Sequence, residues 1–170
     1  MTSQQPIAAQ GGVQATIPTG ISATDPDWKR EAYEGWNPGK ALLAGIRAYQ
    51  RSRTGFGRRI ATLRHRFWSV VSGADIPINS QLGGGLLIPH PNGIVIHPRA
   101  RIGPNCLIFQ QVTIGRIEGK AGAPIIGGHV DIGAGAKILG EVTIGDHARI
   151  GANAVILRDV PAGTTAVGVH

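Results

Sequence analysis

Aliphatic residues return every sixth position along residues 126–160. Ile126, Ile132, Ile138, Ile144, Ile150 and Ile156 each open a hexad, whose fifth place holds a small or β-branched residue: Val130, Ala136, Val142, Ala148, Ala154 and Val160. A helix repeats about every 3.6 residues and a plain strand about every 2, so neither sustains this period. A solenoid of very short strands does, with the first and fifth residues inward and the others in turns or solvent. Three hexads close a triangular coil of about eighteen residues, and each strand pairs with the one a coil away. Glycine in the second place, at 127, 133, 145 and 151, is expected to relieve the corners where positive φ is needed. Leu139 and Leu157 take that place in two other hexads and predict an apolar spot on one outer face, a candidate subunit contact.

The register extends upstream through the pairs Ile76/Ser80, Leu82/Leu86, Ile96/Ala100, Ile102/Cys106 and Ile108/Val112. It is broken twice: the phase slips by two residues in PHPNGIVI before Ile96, and RIEGKAGAPI at 116–125 leaves the coil as a loop. Coils are committed to packing, so chemistry is expected at the breaks. Ahead of the coils lie two helical stripes. Leu42, Leu43, Ile46 and Tyr49 follow Pro38; Ile60, Leu63, Phe67 and Val71 lie between Gly57 and Gly73. Residues 1–27 are polar, small and aperiodic, as in a disordered tail. The chain therefore reads as mainly β: a tail at 1–27, a basic α-helical region at 28–73 and a β-helix at 74–170.

Charge sharpens this picture in one place. The formal net charge is +7, and ten of the 17 Lys and Arg residues lie between Lys29 and Arg66. They form either the solvated back of two amphipathic helices or a surface that meets an anionic membrane or phosphorylated carrier. No nucleic-acid motif accompanies the charge, so nucleic acid is not an expected partner. Cys106, the single cysteine, falls at an inward fifth place and reads as a buried apolar residue rather than a nucleophile. With no secretory signal and no apolar run of about 18 residues, the expected setting is cytoplasmic.

His90, between Pro89 and Pro91 in the first break, is the best candidate for a general base, given a group to orient its ring. Asp75, fifteen residues earlier, falls at an adjoining corner of the neighbouring coil and is the candidate for that group. His97, His129 and His147 take outward places, where solvated side chains are the default, and without a close ligand pair no metal is expected. The loop GRIEGKAG lacks the spacing and the Ser or Thr of a phosphate-binding P-loop.

From Asp75 to Ala166 the sequence resembles the catalytic domain of the serine acetyltransferases. HPNGIVI, QQVTIG, IGAGAKILG, ARIGANAVIL and the closing PAGTTAVGV carry the likeness. It implies a left-handed parallel β-helix of hexapeptide repeats, an exception to the right-handed crossover rule. It further implies that His90, supported by Asp75, takes the proton from an acceptor hydroxyl as that oxygen attacks the thioester of acetyl-CoA, with Gly115 and nearby amides facing the oxyanion. By the same likeness acetyl-CoA lies between adjacent subunits of a homotrimer, along positions matched by Ala134, Ala136 and Arg149, with Lys120 or Arg149 toward its phosphates. Two departures bear on the acceptor. Pro89 replaces the family's acidic residue before the histidine, and Gly122, Ala123 and Pro124 replace its Asp-Arg-His run. The acceptor is therefore open between L-serine and a saccharide hydroxyl, as in the polysaccharide-biosynthesis branch that the Pro-His-Pro motif resembles. The reading from a different class is a non-catalytic scaffold.

Overall fold

The hexads fold into three parallel sheets of 4 strands each, wrapped into a three-sided prism. The computed structural model describes residues 20–170 except Glu34 and Lys120, so most of the expected tail lies outside the described residues. The first face carries β2 (Val95–Ile96), β5 (Thr113–Gly115), β8 (Lys137–Leu139) and β11 (Val155–Ile156). The second carries β1 (Gln81–Leu82), β3 (Arg101–Ile102), β6 (Ile125–Ile126) and β9 (Thr143–Ile144). The third carries β4 (Leu107–Ile108), β7 (Asp131–Ile132), β10 (Arg149–Ile150) and β12 (Thr165–Ala166). Hydrogen-bonded neighbours come from successive coils, as the period requires.

Register locates both interruptions. Val95 pairs with Thr113 and Lys137 with Val155, one undisturbed coil apart. Leu87 pairs with Leu107, two residues more, and the surplus is Pro89–His90 at the corner between the third and first faces. Thr113 pairs with Lys137, six residues more, and that surplus leaves as the loop between β5 and β6. The last coil is shorter, since Arg149 pairs with Thr165.

Inside the prism, isoleucines stack in columns, such as Ile96, Ile114, Ile138 and Ile156, with Ala100, Cys106, Val112, Val130, Ala136 and Ala148 filling the space between columns. The fifth place takes a small or β-branched residue in the later coils and a leucine, Leu86, in the first. Burial pushes the Cys106 thiol up to about 12, which keeps it protonated and inert.

The second-place glycines serve a purpose other than the expected one. Their φ angles are ordinary, but a Cβ on Gly133 would lie 2.6 Å from the Ala152 nitrogen in the next coil. Positive φ falls two residues later, on Asn105, His129, His147 and Asn153 among others. Asn105 shows what that corner can hold: its side chain accepts from the Asp27 N–H (2.8 Å) and donates to the carbonyls of Ser22 (2.7 Å) and Asp25 (2.8 Å). Residues 20–27, expected as the end of a free tail, are thus docked on the prism.

Two helices precede the coils. α1 (Pro38–Arg51) starts with Pro at its first position and Asn37 as cap; α2 (Gly55–Ser72) is capped by Thr54 and ends at Gly73 with φ 65. α1 buries Leu42, Leu43 and Ile46 against the first coils, as its stripe predicts. α2 does not follow: it buries Ala61, His65 and Ser72, while Ile60, Leu63, Phe67 and Val71 face outward. The reason is local. Gly45 of α1 admits the α2 backbone at His65 so closely that an added Cβ would sit 3.3 Å from the His65 Cα, and the His65 ring bonds the Ile76 carbonyl at 2.8 Å. Small and polar residues thus win the inner face. Arg47 ties α1 to the first coil, pairing with Glu31 at 2.8 Å and donating to the carbonyls of Leu82 (2.8 Å) and Gly83 (2.6 Å).

Candidate active site

The two-residue surplus pushes His90 out at the corner where the third face turns into the first, with a proline on either side to restrict the backbone. Asp75 sits beside this corner on the first face, bridged to Val95; its N–H donates to the Ile94 carbonyl (2.8 Å) and its own carbonyl accepts from Ile96 (2.9 Å). Both side chains point into solvent, and among the described residues neither has a hydrogen-bond partner. The coil stack therefore brings Asp75 and His90 to one edge of the prism without the direct contact that the spacing suggests. The start of α1 packs on the same corner, leaving a hollow of about 90 Å³ lined by Asn37, Lys40, Leu87, Ile88 and Pro89. An imidazole so presented stands on a restrained backbone, open to whatever reaches this corner.

The remaining expected positions divide between edges. Ala134 lies on the same corner column as His90, further along the axis and half-buried, its carbonyl accepting from Asn153 at 2.8 Å. Ala136 does not line a groove: its side chain is fully buried in the prism, because a fifth place points inward, and its carbonyl is taken by the Thr113 N–H at 2.9 Å. Gly115 stands at the far edge of the first face, opposite Leu139, and its carbonyl accepts from Gly140. Arg149 is half-buried on the third face, opposite Asp131. Lys120 lies outside the described residues.

Two features escaped the sequence reading. The loop after β5 folds back along the corner between the first and second faces, and Arg99 reaches the Ala121 carbonyl at 3.4 Å. There an open cleft of about 500 Å³ is lined by Gln81, Pro98, Arg99, Arg101, Ala121 and Ala123, with no carboxylate among its described lining residues. The outward places of PRARI were its available signal. The second feature is His129, expected in solvent but buried, its Nδ1 2.8 Å from Nδ1 of His147 one coil on. One ring donates there and the other accepts, and burial lowers the pKa of His129 below the ordinary 6.5. The eighteen-residue spacing of the two histidines held this signal. Among the described residues no group of three His, Cys, Asp or Glu could hold a metal ion.

Residues 123–158 match the bacterial transferase hexapeptide family (six repeats). The chain is 43% identical over 102 residues to a serine acetyltransferase of Synechococcus elongatus, covering 59% of this chain and 42% of the relative. It is 36% identical over 140 residues to that of Staphylococcus xylosus, covering 81% and 63%. Among solved structures, Neisseria gonorrhoeae serine acetyltransferase in complex with serine superposes with a TM-score of 0.68 at 37% identity, over 79% of this chain and 56% of that one. The chain thus spans about two fifths to three fifths of the length of these relatives. Its prism is the left-handed parallel β-helix of these relatives, and its sequence is similar to a serine acetyltransferase over 81% of its length.

Proposed function

We propose that the chain is an acetyl-CoA-dependent O-acetyltransferase with His90 as general base. The observation that carries this reading is an exposed imidazole at a two-residue break in an otherwise regular prism, inside the segment shared with the serine acetyltransferases. A ring nitrogen of His90 takes the acceptor's hydroxyl proton as the oxygen bonds to the thioester carbon; the C–S bond then breaks, and His90 returns the proton to the thiolate. Asp75 orients and stabilises the imidazolium once substrates close the site. The amide of Gly115 and its neighbours face the oxyanion. Ala134 and Arg149 line the acetyl-CoA groove, with Arg149 and Lys120 toward its phosphates.

Because His90 and the loop after β5 stand at different corners of the prism, one chain does not enclose a substrate. A homotrimer, in which one copy's corner meets another's loop, supplies the missing wall. The outward Leu139 and Leu157, adjacent on the first face, suit such a contact. A cytoplasmic setting and a peripheral contact of the basic helices with an anionic membrane belong to the same reading; no described helix is long and apolar enough to cross a membrane.

L-serine is the acceptor the relatives favour, and Arg99 with Arg101 offers its carboxylate a partner. A saccharide hydroxyl is the second reading, favoured by a cleft without a carboxylate for an ammonium group. Supplying purified protein with acetyl-CoA and each acceptor, and following free thiol, separates them. Turnover with L-serine selects the first, and turnover with saccharides alone selects the second. No turnover with any acceptor leaves a scaffold.

A further inference from the structure

We propose that the outward face of α2 is a docking surface for an anionic lipid bilayer, on which the helix lies parallel to the membrane plane. This narrows the membrane contact above to one face of one helix, and it stands or falls independently of acetyl transfer. At about 100° per residue, Phe56, Ile60, Leu63, Phe67, Val70 and Val71 fall within a stripe about 100° wide. They are not core residues: Phe56 is 75% exposed, Leu63 67%, Phe67 58% and Val70 84%. Trp36, 75% exposed, extends the patch by stacking edge-on against Trp68, which in turn meets Phe67. A contiguous apolar surface of this kind marks a contact site.

Charge selects the occupant. On the helical wheel Arg59 and Arg66 border the stripe on one side and Arg64 on the other, and neither α1 nor α2 contains an acidic residue. A second copy docked two-fold, this face against itself, would bring arginines against arginines. An anionic bilayer neutralises them while its acyl boundary takes up the aromatic and aliphatic side chains, the signature of an interfacial helix.

The test is co-sedimentation of the full chain with vesicles of mixed phosphatidylglycerol and phosphatidylcholine, and of phosphatidylcholine alone. Wild type should bind the anionic vesicles and release in high salt. Leu63→Ser with Phe67→Ser should abolish binding while leaving circular dichroism unchanged, because both residues face solvent. Arg59→Gln, Arg64→Gln and Arg66→Gln together should weaken it on the order of a hundredfold, about fivefold for each cation near an anionic surface. Equal binding to both vesicle types, or binding that survives the serine variants, overturns the proposal. So does light scattering in which those variants break up an oligomer while wild type ignores vesicles, which would make the face a contact between copies.

Discussion

Arg47 holds the helical hairpin to the first coil, and its removal has a cost that can be worked from its partners. Its side chain is 8% exposed and that of Glu31 9%, so the pair is largely out of water. Arg47 donates to both Glu31 oxygens, to the carbonyls of Leu82 and Gly83 and to Gln50, while Glu31 also accepts from the Leu86 N–H. Arg47→Met fills similar space but leaves a buried carboxylate with one donor and two coil carbonyls bare. Breaking a buried pair from one side costs about 3–5 kcal/mol. At about 2–4 °C per kcal/mol for a chain of this size, the midpoint of thermal unfolding should fall by roughly 6–20 °C. Adding Glu31→Met removes the stranded charge and should recover part of the loss, but not all, since Leu82, Gly83 and Leu86 still lack partners at about 1–3 kcal/mol each. Thermal and urea unfolding of the three proteins measure this. An Arg47→Met protein within about 1 kcal/mol of wild type would refute the assignment of Arg47 as the tie between helices and prism.

Buried His129 should make the prism acid-sensitive. A histidine whose folded pKa lies below its unfolded value contributes stability that is present above about 6.5 and lost as pH falls through the folded pKa. The unfolding midpoint should therefore drop more steeply between pH 7 and 5 in wild type than in His129→Asn, since Asn tolerates the φ of 50° found there; parallel curves would contradict this. Gly133→Ala, whose Cβ would press on the next coil at 2.6 Å, should cost about 1–3 kcal/mol. Gly55→Ala, with open space at the start of α2, should be neutral or stabilising by up to about 1 kcal/mol, and urea titration that gives both the same loss would remove the close-approach explanation.

The prism was legible because its period is imposed by packing. Each inward Ile must meet the Ile of the next coil, so one misplaced residue would show as a phase slip, and both slips located real departures. What could not be read is what depends on a neighbour outside the period. The inner face of α2 is set by Gly45 and the Ile76 carbonyl rather than by its own apolar stripe. The docking of residues 20–27 depends on one asparagine in a left-handed corner. Ala136 illustrates the converse: its inward place was plain from the hexad, and a role copied from relatives conflicts with it. His90 was legible as a residue at a break. That His90 and the loop after β5 stand on separate corners was not, because the period does not say where a loop leaving the coil will fold back.

Acetyl-CoA turnover by wild type and His90→Ala, followed as free thiol with the preferred acceptor, tests the central claim most directly. Circular dichroism should show both proteins equally folded, since His90 is exposed. The variant should lose at least roughly a hundredfold in kcat, the worth of a positioned base. Equal turnover in the two proteins would contradict it.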